Sequence, residues 1–122
     1  MLYCRTGLPT VFVIGSDWTL RASERAELRE LGIEALGMES ADDAARALAA
    51  GTVPAAVVLD ATGEDTGNPA LAQLAKRVPF VVVASRTQPA PALEAAAVVL
   101  YRPVRVGDVV ARVKQLLAGL PA

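Results

Sequence analysis

The sequence predicts an α/β domain of three layers, with a five-stranded parallel sheet covered by helices on both faces. Three observations carry this. Five short, nearly all-apolar runs recur along the chain, and each reads as a buried strand. Helix-length segments alternate with them, giving the order βαβαβαβ(α)βα. Glycine closes the helices, and Ser, Asp or Pro opens them.

Residues 1–9 are a lead-in ending in Gly7-Leu8-Pro9. Thr10 to Ile14 is the first strand, halted by Gly15-Ser16-Asp17. The first helix runs from about Thr19 to Leu31. Leu20, Leu28 and Leu31 fall on one face, with Arg21, Glu24, Arg25 and Arg29 mostly opposite. Asp17 or Thr19 is its N-cap, and Gly32 closes it. Ile33 to Leu36 is the second strand. Ser40-Ala41-Asp42-Asp43 resembles a capping box, with Asp in the place of the usual Glu. The alanine-rich helix behind it ends at Gly51. Ala55 to Leu59 is the third strand, with Asp60 at its end, and residues 61–68 form a loop. Pro69 fits the first turn of the third helix, which carries Leu71 and Leu74. Phe80 to Ala84 is the fourth strand. Pro89 and Pro91 leave only Ala92 to Ala97 for a shortened fourth helix. Val98 to Tyr101 is the fifth strand, and Val106 to Leu117 the last helix.

The chain has 122 residues, 53% of them apolar and 20% charged, which fits one globular domain over 1–122 with a core at about 10–118. A net charge of −1 with scattered basic residues argues against direct nucleic-acid binding and against an anionic membrane. One cysteine excludes an internal disulfide and a cysteine zinc cluster. The absence of histidine removes the commonest general base and metal ligand. The first apolar run, Val11 to Ile14, is too short for a signal peptide, and none reaches membrane-span length. A cytoplasmic location is expected. Neither GxGxxG nor GxxxxGK[ST] is present, so Gly15-Ser16-Asp17 reads as a strand-to-helix turn.

Asp60 is the best candidate for chemistry. A carboxylate at the C-terminal end of a parallel strand sits where open α/β sheets place their ligands. With Pro79 before the fourth strand and Tyr101-Arg102-Pro103-Val104 after the fifth, it gives the chain a resemblance to the receiver domain of two-component response regulators. The resemblance spans residues 10–118 and implies the flavodoxin-like strand order 2-1-3-4-5. It also implies an aspartyl phosphoacceptor at Asp60, a magnesium ion, and a histidine kinase or other signalling protein as partner. Arg102 stands where the family has a phosphate-contacting lysine, and it keeps the charge in a different shape; an ion pair with Asp60 or Asp17 is expected there ahead of a phosphate clamp. The family's acidic pair aligns with Gly15 and Ser16, or after a one-residue slip with Ser16 and Asp17, leaving Asp17 and Asp60 as a weak or absent magnesium site. The switch hydroxyl aligns with Ala84, and Ser85 is the candidate next to it. The aromatic switch aligns with Val99, with Tyr101 two residues on.

The reading that follows is an atypical receiver-like signalling module rather than an enzyme. It acts mainly by protein–protein interaction, with weak or no phosphorylation at Asp60. Its contacts are expected through strand five and the last helix, where it could also form a homodimer. The alternatives are a phospho-accepting receiver that uses Asp60 with magnesium, and a small nucleotide- or metabolite-binding domain.

Overall fold

The structure is a computed structural model that describes residues 8–61, 68–86 and 98–119. Five parallel strands form one sheet: β1 (Thr10–Ile14), β2 (Glu34–Met38), β3 (Ala56–Asp60), β4 (Phe80–Ala84) and β5 (Val98–Tyr101). Their order across the sheet is β2-β1-β3-β4-β5, as expected. The described helices are α1 (Trp18–Glu30), α2 (Ala41–Ala49), α3 (Pro69–Ala75) and α4 (Val106–Ala118). The shortened helix expected at 92–97 lies outside the described residues.

Side-chain alternation along the strands divides the core in two. Phe12, Ile14, Val57, Leu59, Phe80 and Val82 pack against α2 and α3. Val11, Val13, Val58, Val81 and Val83 pack against Leu28 of α1 and Val109, Val110 and Val113 of α4. Strands buried on both faces need apolar residues at every position, which is why these runs do not alternate with polar ones.

The helix boundaries follow from their caps. The Asp17 side chain accepts from the backbone N–H groups of Thr19 and Leu20, so α1 starts at Trp18. Asp17→Ala therefore costs about 1 kcal/mol, read as a lower denaturation midpoint at unchanged slope. Gly32 and Gly51 follow their helices at positive φ, +80° and +96°. Ser40 caps α2 through the Asp43 N–H, while the Asp43 side chain accepts from the N–H of Glu39. That is a capping box displaced by one residue. Asn68 caps α3 ahead of Pro69.

Two readings of α1 and β2 need correction. The second strand begins at Glu34 because the Ile33 N–H bonds back to the Leu28 carbonyl and closes the helix. On α1, Leu31 is the C-cap and half exposed, whereas Glu24 is buried at 3% exposure. Glu24 lies four residues from both Leu20 and Leu28, so it shares their stripe rather than the opposite face.

Candidate functional site

The C-terminal edge of the sheet brings three sequence-distant positions onto one face. Asp60 ends β3, two residues after Val58 of the α1–α4 cluster. Gly15 follows Ile14, whose partner in β3 is Leu59, so Gly15 comes beside Asp60. Arg102 follows β5, where Val98 and Leu100 pack on the same α1–α4 side, and its N–H bonds to the Ala84 carbonyl.

Asp60 is buried, at 5% exposure. Its Oδ2 accepts a hydrogen bond from Nη2 of Arg102, forming a salt bridge. Gly15 packs directly against it: a Cβ at position 15 would stand 2.9 Å from the Asp60 Cβ. Real side-chain carbons do not approach that closely, so glycine is required by contact. Gly15→Ala is expected to cost about 1–3 kcal/mol through displacement of Asp60, measured by denaturant unfolding. Arg21 donates from Nη1 to the Gly15 carbonyl, placing a second guanidinium at the end of β1.

Glu24 was missed as a member of this site. Its pKa is raised from 4.5 to about 7, chiefly by burial. The negative charge of Asp60 raises it further, Arg102 acts in the lowering sense, and Asp17 adds a smaller upward push. The signal available in the sequence was its spacing from Leu20 and Leu28.

Of the remaining candidates, Ala84 is buried in the α2–α3 cluster. Alternation along β4 puts Ser85 on the opposite side, with Val83 and Asp60. Val99 and Tyr101 are both exposed, and the Arg86 guanidinium lies 4.6 Å from the centroid of the Tyr101 ring.

This architecture matches many solved structures. The receiver protein from Burkholderia phymatum is 24% identical, with a TM-score of 0.69 over 90% of this chain and 95% of that one. The receiver domain of NtrX from Brucella abortus is 19% identical, with a TM-score of 0.72 over 90% and 99%. The signal receiver domain of a histidine kinase from Syntrophus aciditrophicus is 19% identical, with a TM-score of 0.74 over 92% of each. The fold is that of response regulator receiver domains. No family model and no curated protein matches the sequence.

The receiver fold implies a magnesium ion beside the phosphoacceptor, and magnesium demands a near-octahedral set of oxygen ligands. The described residues do not fit it. Gly15 leaves no room for a carboxylate at its position. Asp17 uses Oδ1 to cap α1, and Asp60 is held by Arg102. Among the described residues, no group of three or more acidic or cysteine side chains is placed to hold a metal ion. Glu64 and Asp65, the loop acids that could add ligands, lie outside the described residues. The site instead sets the Arg102 guanidinium against the Asp60 carboxylate, a fixed form of charge neutralisation. Among the described residues, no helix is long and apolar enough to cross a membrane.

Proposed function

We propose that the chain is a receiver-like signalling module that works mainly through protein–protein contact, with little or no phosphorylation at Asp60. The observation that carries this is the buried Asp60–Arg102 pair. For Asp60 to attack phosphorus, its carboxylate must leave a guanidinium that never gives up its charge. Among the described residues no metal site is formed to offset the negative charge that attack brings together. Gly15 and the capping role of Asp17 support the same reading.

The contact surface runs along β5 and the start of α4. Val99 and Tyr101 are exposed there, with Arg86 stacked on the tyrosine. Beside them is a groove of about 320 Å³, lined by Leu100, Tyr101, Pro103, Val104, Asp108 and Arg112 among others. A lining that mixes apolar residues with both signs of charge suits a protein partner, including a second copy of this chain.

Trp18, exposed and next to Asp17, gives the test. Magnesium with beryllofluoride, a phosphoryl mimic, is expected to leave its fluorescence unchanged. A change that Asp60→Asn abolishes would establish the phospho-accepting alternative. That alternative has one observation in its favour, the placement of Ser85 on the Asp60 side of β4.

A further inference from the structure

β2 is an edge strand, with β1 as its neighbour among the described strands. In the parallel ladder the Glu34 N–H donates to the Pro9 carbonyl, and the Met38 carbonyl accepts from the Gly15 N–H. Glu34, Leu36 and Met38 therefore turn their backbone groups inward, while Ala35 and Gly37 turn theirs to the open edge. Two arginines of α1 lie over that edge. Arg25 donates from Nε to the Ala35 carbonyl at 3.2 Å, and Arg21 donates from Nη1 to the Gly15 carbonyl. The two side chains converge on Gly37. A Cβ there would stand 2.7 Å from Cδ of Arg25, 3.2 Å from its Nη1 and 3.3 Å from Cδ of Arg21. Both arginines are half-buried.

Two like charges brought together in this way repel, and the carboxylates nearby are engaged elsewhere. The ion pairs among the described residues are Arg46–Asp43 and Arg102–Asp60. Asp17 caps α1, and Glu34 accepts from the Thr10 hydroxyl. Glu39, two residues beyond Gly37 on the same face, is exposed and belongs to neither ion pair. Each guanidinium has five N–H donors, and its carbonyl bond uses one. Those bonds also fix its orientation, so less freedom is lost on binding. A peptide strand added to β2 would need the Ala35 carbonyl that Arg25 already occupies. A phosphate group brings up to two negative charges and at least three acceptor oxygens. That matches two cations and the outward N–H of Gly37 better than one carboxylate does. We propose that Arg21 and Arg25, with the Gly37 N–H, form a binding site for a phosphate-type oxyanion, either free or as the terminal phosphate of a small molecule. β1 stands between this site and Asp60, so the site is separate from the proposed function.

The test titrates the full chain with inorganic phosphate and with glycerol phosphate, against chloride at matched ionic strength. Nitrogen NMR follows the Gly37 amide and the Nε–H groups of Arg21 and Arg25. Saturable shifts of these signals in the low millimolar range are expected. Tighter binding of the ester identifies a small-molecule ligand and equal binding the free ion; either supports the site. Replacing both arginines, Arg21→Gln with Arg25→Gln, should abolish saturation, whereas Arg46→Gln should leave it intact. Gly37→Ala is the second variant. It keeps every charge but displaces the Arg25 stem, and should weaken binding by about tenfold, as loss of one charge-assisted hydrogen bond does. Shifts that chloride reproduces, or saturation that survives the double arginine variant, overturn the inference. So does an affinity unchanged by Gly37→Ala. Asp60→Asn should leave the titration as it is; a titration lost in that variant places the oxyanion at Asp60 and also overturns it.

Discussion

Glu24→Leu should raise the stability of the domain by about 3 kcal/mol at pH 8 and flatten its dependence on pH. Glu24 has its pKa raised from 4.5 to about 7 in the folded chain. Folding therefore takes up a proton between those values. The contribution of this group is most favourable below about 4.5, falls as pH rises through the window, and levels off above 7. A displacement of that size corresponds to about 3 kcal/mol lost at the alkaline end. Leucine removes the ionisable group from a stripe already occupied by Leu20 and Leu28. Urea denaturation at pH 5 and pH 8 measures the effect. The gain at pH 8 should be much the larger, and Glu24→Gln should recover only part of it, because its amide remains buried. Equal gains at the two pH values would contradict an ionisation origin.

Arg102→Met should be more damaging than Asp60→Asn, although each removes one partner of the same ion pair. Asp60 and Glu24 are both buried, and without Arg102 two carboxylates share the pocket with no counter-charge from β5. Breaking a buried pair from one side costs several kcal/mol. The Arg102 side chain is 34% exposed, so water screens part of this and about 2–3 kcal/mol is the expected loss. Asp60→Asn leaves that partly exposed guanidinium near water and also relieves the repulsion on Glu24. Its cost should be about 1 kcal/mol or less. The loss in Arg102→Met should grow with pH and shrink when Glu24→Gln is added, a coupling that a double-mutant cycle reads directly.

The sheet was legible in the sequence because its signals are local. Apolar runs with Gly, Pro and caps at the junctions specify β4, buried on both faces, and β5, exposed on one, to the residue. Boundaries slipped where a tertiary bond decided them, as at Ile33, whose N–H returns to Leu28 instead of entering the ladder. The strand order came through the family resemblance. An ion pair of Arg102 with Asp60 or Asp17 was expected; that Asp60 is the partner, across 42 positions, is a product of the register among β3, β4 and β5. Glu24 was misread for a different reason. Counting polar residues on α1 assigns it to solvent by type, whereas its spacing from Leu20 and Leu28 puts it on the buried stripe. The close approach of Gly15 to Asp60 has no local signature, since a glycine after a strand also serves an ordinary turn.

The central claim is that Asp60 serves as a charge partner of Arg102 and has little or no role as a phosphoacceptor. Intact-mass measurement after incubation with acetyl phosphate and magnesium tests it most directly. The proposed function predicts an unmodified chain, and the same result for Asp60→Asn. A substantial phosphoryl adduct on the wild-type chain, absent from Asp60→Asn, would contradict it.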